Sequence, residues 1–229
     1  MLIQSRPVPA VLVVGYDAED PFPPDPDLSP ISDVGSGVTA SQMARGSGIA
    51  YVADTVNPPL MRDFMSSSWT SHPTIPDVND SFIFSFTSSA GYNLTELRMR
   101  GERNASGPKT FRLEVDLGPI DGIYAPVGSD FTLGDTSATD ISFDLTSLDG
   151  VSTAAFRVLG FNSADSGSGS LFTMLDSGDY VGEADLAVWG VSVIPEPSSF
   201  LFGGLVCGVV GLAAAKRRLA GKKVESIVA

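Results

Sequence analysis

Apolar residues recur at every second position in several short segments of this 229-residue chain. The clearest segment is Ser81 to Thr87, where Phe82, Phe84 and Phe86 have this spacing. Side chains two positions apart share one face of a strand, so the spacing predicts a half-buried β-strand. The same spacing recurs in four further segments: Phe111, Leu113, Val115 and Leu117; Ile141, Phe143 and Leu145; Ala154, Phe156 and Val158; and Ala187, Trp189, Val191 and Val193.

Polar turn residues separate these segments, and no window of the sequence favours an amphipathic helix. Short strands joined by such turns are typical of antiparallel sandwiches. We therefore predict an all-β domain over residues 38–194, an antiparallel β-sandwich of jelly-roll type. Residues 1–37 are predicted to be an N-terminal remnant followed by a linker rich in proline and aspartate.

The first fifteen residues make a poor export signal. Their apolar run, Val8 to Gly15, is short and is interrupted by Pro9. Secretory signals carry a longer uninterrupted apolar stretch. We expect that the signal lies upstream of Met1 or that this run is its remnant; the alternative is a short strand from Val11 to Tyr16.

The C-terminal segment predicts a single transmembrane helix after the β-domain. Phe200 to Ala215 form sixteen residues without a charge, and Lys216, Arg217 and Arg218 follow directly. As a helix this run is about 24 Å long, against a hydrocarbon core of roughly 30 Å. Basic side chains that reach the interface make up the difference, and they indicate a cytoplasmic C-terminus.

Three features in a row give this tail its resemblance to a known family. Pro195, Glu196 and Pro197 precede the apolar run, and the basic cluster follows it. This arrangement over residues 195–223 resembles the PEP-CTERM sorting signal of Gram-negative bacteria, with residues 224–229 as a tail. The resemblance implies recognition and cleavage near Pro-Glu-Pro by an exosortase in the inner membrane, and a mature protein at the cell surface or in the extracellular matrix.

Three stretches of the β-domain are similar to the jelly-roll ectodomain often joined to such a signal. They are Tyr92 to Arg98, Gly107 to Val115, and the pair Phe156 and Arg157. This similarity implies no catalytic residues.

Charge and composition argue against several classes of function. The chain has 14 Lys and Arg against 27 Asp and Glu, and a net charge of −13. A nucleic-acid binder needs a basic face, so we expect no nucleic-acid partner. Cys207 is the single cysteine and His72 the single histidine, which excludes an intramolecular disulfide and most histidine-based sites.

The sequence offers weak candidates for chemistry in the β-domain. His72 lies in a Ser- and Pro-flanked loop and is expected to be a solvated surface residue, so we predict no catalytic residues and no enzyme. A structural calcium ion is the one candidate cofactor, because calcium prefers oxygen ligands on acidic loops. Its candidate ligands are Asp116 and Asp121, or Asp176 and Asp179 with Glu183 and Asp185; the alternative is that these acids form turns.

Two tryptophans are candidates for stacking against a sugar ring. Trp189 has an alternating apolar register, which predicts a core position. Trp69 lies in a polar segment and is therefore the predicted exposed platform. We expect an ectodomain that associates with extracellular polysaccharide. The alternatives are a secreted carbohydrate-active hydrolase that uses a pair of carboxylates, or a permanently anchored single-pass envelope protein.

Overall fold

The computed structural model describes residues 9–17, 28–29, 31–52, 64–134, 136–175 and 184–193. In these ranges the chain forms strands and turns without a helix, and every strand pairing is antiparallel. The predicted all-β antiparallel class is confirmed. The strands are β1 (Val11–Tyr16), β2 (Leu28–Ser29), β3 (Ile31–Val34), β4 (Val38–Ala40), β5 (Met43–Arg45), β6 (Ala50–Tyr51), β7 (Phe64–Ser67), β8 (Ser81–Arg103), β9 (Thr110–Leu117), β10 (Ala125–Pro126), β11 (Phe131–Thr132), β12 (Thr139–Asp144), β13 (Val151–Phe161), β14 (Phe172–Met174) and β15 (Leu186–Ser192).

Strand β8 is 23 residues long and takes part in two layers. Its first half pairs with β13 on one side and with β4 and β5 on the other. Its second half pairs with β12 and β15. We call the first half of β8 with β13, β9, β10 and β11 the first sheet, and its second half with β12, β15, β1 and β3 the second sheet.

The two sheets face each other across a common core. Tyr16 of β1 belongs to the second sheet and Phe84 of β8 to the first, yet their ring centroids are 5.0 Å apart. Phe84 also stacks on Phe156 of β13, with centroids 5.0 Å apart. Both sheets therefore bury one face and expose the other, which is the arrangement of a β-sandwich.

Most of the predicted faces are confirmed by burial. The alternating residues of β8, β9, β12 and β13 point into the core, although Leu117 at the end of β9 is 47% exposed. The predicted face of β15 is wrong. Leu186 and Val188 are fully buried, so Trp189 points to the opposite, outer face.

Strand β1 also changes the predicted extent of the domain. It pairs with β15 on one side and with β3 on the other. Val13, Val14 and Tyr16 are fully buried. The described parts of residues 1–37 thus belong to the sandwich, and Val11–Tyr16 is the strand that we weighed as the alternative.

Candidate functional site

The structure places Trp69 in the core, which corrects its prediction as an exposed platform. Its side chain is 0% exposed and packs edge-on against Phe82, Phe111 and Phe172 at centroid distances of 5.4, 6.2 and 6.0 Å. Its indole Nε1 donates to the carbonyl of Ser66. Ser66 and Ser67 just before it are buried as well, and the indole cannot contact a ligand in solution.

Trp189 is half-buried and lies on the outer face of the second sheet. It lies in β15 directly between Leu12 of β1 and Glu96 of β8. Each of these neighbouring strands carries an extra residue next to it, Val13 in β1 and Thr95 in β8. Such bulges change the direction of nearby side chains and twist the strand. The indole is therefore held on the outer face between two irregularities of the sheet.

Trp189 has polar residues on its β8 side and small residues on its β1 side. The small residues are Gly15 of β1 and Ala187 of β15, which pair with each other two residues from Trp189 along β15. On the β8 side, the Glu96 carboxylate contacts Arg98 Nε at 2.6 Å and accepts a hydrogen bond from Ser142 Oγ. We call Trp189, Leu12, Glu96, Arg98 and Ser142 the Trp189 platform.

The platform carries fixed charges. Burial raises the pKa of Glu96, but hydrogen bonds from Arg98 and Ser142 and the charge of Arg98 outweigh it, so the pKa is lowered overall. Asp144 of β12 lies directly opposite Glu96. Hydrogen bonds from the backbone and hydroxyl of Thr146 lower the pKa of Asp144. Both carboxylates are ionised at neutral pH.

This arrangement suits a sugar ring. An indole face offers an apolar surface for the C–H groups of a pyranose. A carboxylate accepts hydrogen bonds from hydroxyls, and a guanidinium donates to them. The sequence pattern did not predict that Trp189 is on the outer face, because both faces of β15 carry apolar residues. These residues are Leu186, Ala187, Val188, Trp189 and Val191.

Two of the calcium candidates that the structure describes, Asp116 and Asp121, form a turn; the third, Asp185, is buried beside β15. Asp116 is 2% exposed, and its Oδ2 accepts hydrogen bonds from the backbone of Asp121 and Gly122 at 3.1 and 2.8 Å. Among the described residues, no three His, Cys, Asp or Glu side chains converge as a metal site. Asp176, Asp179 and Glu183 lie outside the described residues.

His72 is exposed, as predicted. Its Nδ1 accepts hydrogen bonds from the backbone of Thr74 and Ile75 at 3.3 and 2.9 Å. These contacts shape the loop.

The residues of the predicted sorting signal lie outside the described residues. They are Pro195, Glu196 and Pro197, Phe200 to Ala215, and Lys216, Arg217 and Arg218. The described ranges contain no helix with the length and apolar character needed to cross a bilayer.

No protein-family model matches the chain, and no curated protein matches it. Among solved structures it is similar to a variant of a family 29 carbohydrate-binding module in complex with cellulohexaose, at 11% identity and a TM-score of 0.38 over 80% of this chain and 93% of that one. It is similar to the C-terminal domain of a chitobiase from Bacteroides fragilis, at 11% identity and a TM-score of 0.35 over 69% and 97% of the two chains. A family 61 module in complex with β-1,4-galactotriose matches at 12% identity and a TM-score of 0.28 over 67% and 88%. All three TM-scores are below 0.5, so the site rests on its own geometry.

Proposed function

We propose that the protein is an exported, non-enzymatic component of the cell surface or extracellular matrix, whose jelly-roll-like ectodomain associates with extracellular polysaccharide through the Trp189 platform. The observation that carries this proposal is the half-buried indole on an outer sheet face, bordered by the ion pair of Glu96 and Arg98. An aromatic ring on the outer face of a sheet can contact the side of a polymer without enclosing it.

The charges of the platform favour binding over hydrolysis. A glycosidase needs one carboxylic acid that is protonated at the working pH, beside a second, ionised carboxylate. Glu96 and Asp144 are opposite each other, but both have lowered pKa values. Asp80 has a raised pKa, but it is 4% exposed and its carboxylate accepts a hydrogen bond from the Thr70 backbone at 2.6 Å. It cannot reach a glycan.

The sorting part of the proposal is supported by the sequence of the tail. Pro195, Glu196 and Pro197, the apolar run and the basic cluster occur in the order of the PEP-CTERM signal. The precursor would be held in the inner membrane with its C-terminus in the cytoplasm, and an exosortase would release the ectodomain.

Affinity electrophoresis of the full-length chain in gels with neutral polysaccharides tests the binding. The gels contain mixed-linkage β-glucan, galactomannan, xyloglucan or methyl-esterified homogalacturonan. We expect retardation in at least one gel, about tenfold weaker affinity for Trp189→Ala, and near wild-type affinity for Trp189→Phe, which keeps a ring. Ile75→Ala is the matched control, because Ile75 is an apolar residue that is 62% exposed and lies in the loop between β7 and β8, outside the Trp189 platform. Equal retardation of the wild type and Trp189→Ala would refute the platform.

Reducing ends measured in the same samples separate binding from hydrolysis. We expect none to appear. Release of sugar that stops in the Glu96→Gln variant would establish the hydrolase alternative.

Replacing Pro195, Glu196 and Pro197 by alanine tests the sorting. In a host that contains an exosortase, the variant should stay in the membrane fraction, while replacement of the neighbouring Ser198 and Ser199 should not change release. Mass spectrometry of a mature wild-type form that still contains Phe200 to Ala215 would instead establish a permanently anchored protein.

A further inference from the structure

We infer that the ectodomain carries a second glycan-binding platform, built on Tyr124 at the outer face of the first sheet, and that the protein bridges two polysaccharide chains. The inference rests on the proposed association with polysaccharide and adds a site and a bridging activity to it.

The strand register places the base of this second platform on the outer face. Glu114 of β9 is directly opposite Arg157 of β13. Their sequence neighbours Val115 and Phe156 are core residues that are also opposite each other. Because successive side chains alternate between faces, Glu114 and Arg157 point away from the core.

Arg157 lies between the sheet and the ring of Tyr124. Its Cζ is 4.2 Å from the ring centroid, and its Nη2 forms an ion pair with Glu114. The Arg157 and Glu114 side chains are only 16% and 13% exposed, whereas Tyr124 is half-buried. The guanidinium covers the inner face of the ring, so the other face is directed away from the sheet.

The loop that carries Tyr124 is fixed before any ligand binds. The buried Asp116 carboxylate accepts hydrogen bonds from the backbone of Asp121 and Gly122, and β10 pairs with β9 immediately after Tyr124. Gly122 has a φ of +85°, which a residue with a side chain rarely adopts. A ring held in this way stacks on a ligand without the entropy cost of ordering a loop.

The chemistry of this face points to an uncharged, hydroxyl-rich occupant. Arg157 is neutralised by Glu114, and Arg112 forms two hydrogen bonds of 2.8 Å with Asp130. An anionic ligand would have to compete with these carboxylates. Sugar hydroxyl groups can form further hydrogen bonds with the exposed side of the Arg112–Asp130 pair, because these two side chains are 28% and 37% exposed. Aromatic stacking together with such bonds is the chemistry of the Trp189 platform.

The two platforms point in opposite directions. Trp189 is on the outer face of the second sheet and Tyr124 covers the outer face of the first, with the core between them. Packed sheets are about 10 Å apart, so both rings are separated by the full thickness of the sandwich. Two different glycan chains, or two distant parts of one, are needed to occupy both.

Agglutination of glycan-coated beads by the full-length chain tests the bridging. The beads carry mixed-linkage β-glucan, galactomannan, xyloglucan or methyl-esterified homogalacturonan, and binding to the same soluble polymers is measured in parallel. We expect the wild type to bind and agglutinate. Tyr124→Ala and Trp189→Ala should each keep one site, so that they bind with about tenfold lower apparent affinity but do not agglutinate. The double variant should do neither.

Tyr124→Phe and Trp189→Phe are the matched controls that keep a ring, and thermal unfolding checks that each variant folds. Unchanged agglutination by Tyr124→Ala would overturn the second platform, and so would loss of all binding in Trp189→Ala alone, which would indicate one site on a self-associating protein. If the wild type binds none of these polymers, the proposed function itself fails, and the second platform with it.

Discussion

The indole of Trp69 lies directly against the backbone of Gly160 in β13. A Cβ placed at position 160 would be 2.5 Å from Cε3 and Cζ3 of the indole. Carbon atoms of a folded protein do not approach this closely without displacement, so the absence of a side chain at Gly160 is what allows the tryptophan to enter the core. This contact explains how a tryptophan with polar sequence neighbours becomes fully buried.

The variant Gly160→Ala should destabilise the domain. We expect a loss of about 1–3 kcal/mol in the free energy of unfolding, because the added methyl group overpacks the core. Urea denaturation measures the change. Gly134→Ala is the control, since no heavy atom lies within 4 Å of its added Cβ. Its effect should stay within about 0.5 kcal/mol, as is usual for exposed positions. Equal stability of the two variants would contradict the packing described.

Stability should fall as the pH rises because of Asp80. Burial is the main cause that raises its pKa to about 6, with the Thr70 hydrogen bond opposing and the Asp77 charge reinforcing the shift. The native state holds this proton more tightly than the unfolded chain does. The stabilisation that comes from protonated Asp80 is therefore fully present below about pH 4, the ordinary pKa of an aspartate, and is lost as the pH rises through 6.

The variant Asp80→Asn should lose that part of the pH dependence. The difference in unfolding free energy between pH 4.5 and 7.5, measured with urea, should shrink by on the order of 2 kcal/mol. Asp140→Asn changes an exposed carboxylate and should follow the wild type. If Asp80→Asn shows the same pH dependence as the wild type, Asp80 is not the group responsible for it.

Asp116 should matter to the Tyr124 loop as a hydrogen-bond acceptor. The variant Asp116→Ala leaves two backbone donors, those of Asp121 and Gly122, without their acceptor, and should cost about 1–3 kcal/mol. Asp116→Asn keeps an acceptor oxygen and should cost less. We expect chelation of divalent ions to leave the melting temperature of the wild type unchanged. A fall in melting temperature with EDTA that calcium reverses would instead favour the calcium role.

The Trp189 platform should prefer neutral over anionic polysaccharides. The strand register places four carboxylates on the outer face of the second sheet, those of Asp33, Glu96, Asp140 and Asp144. Only two guanidinium groups, those of Arg98 and Arg100, share this face by the same register, so acidic groups outnumber basic ones there. Methyl-esterified homogalacturonan and polygalacturonate share a backbone and differ in charge. We expect the ester to bind at least about tenfold more tightly at low salt, and the difference to shrink as salt screens the repulsion.

Removing charge from this face provides the matching test. The double change Asp33→Asn and Asp144→Asn should bring the two affinities closer, while Asp165→Asn, in the loop before β14, should not. Tighter binding of polygalacturonate by the wild type would contradict the preference but not the association with polysaccharide.

The strands of this protein could be predicted from alternation alone where one face is clearly apolar. In the first half of β8 the three phenylalanines fall on one face, and Ser81, Ser85 and Thr87 fall on the other, so the buried face follows from the order of residues. In β15 both faces carry apolar residues. The sequence then predicts a strand but not its orientation, and the predicted face was off by one residue.

Long-range pairing decides what alternation leaves open. Val13 and Thr95 are each an extra residue opposite β15, and the inward side chains of β8 change from Leu94 to Leu97 across this bulge. Each shift depends on which strand lies alongside, which no local window contains.

By itself, the sequence determined the all-β class, the positions of the main strands and the order of the features in the C-terminal tail, because these depend on the residue types of short contiguous segments. Only the tertiary structure decided that Trp69 is buried and Trp189 is on the surface. The reason is physical: burial of Trp69 depends on Gly160, which is far away in the sequence, and exposure of Trp189 depends on its register against β1 and β8.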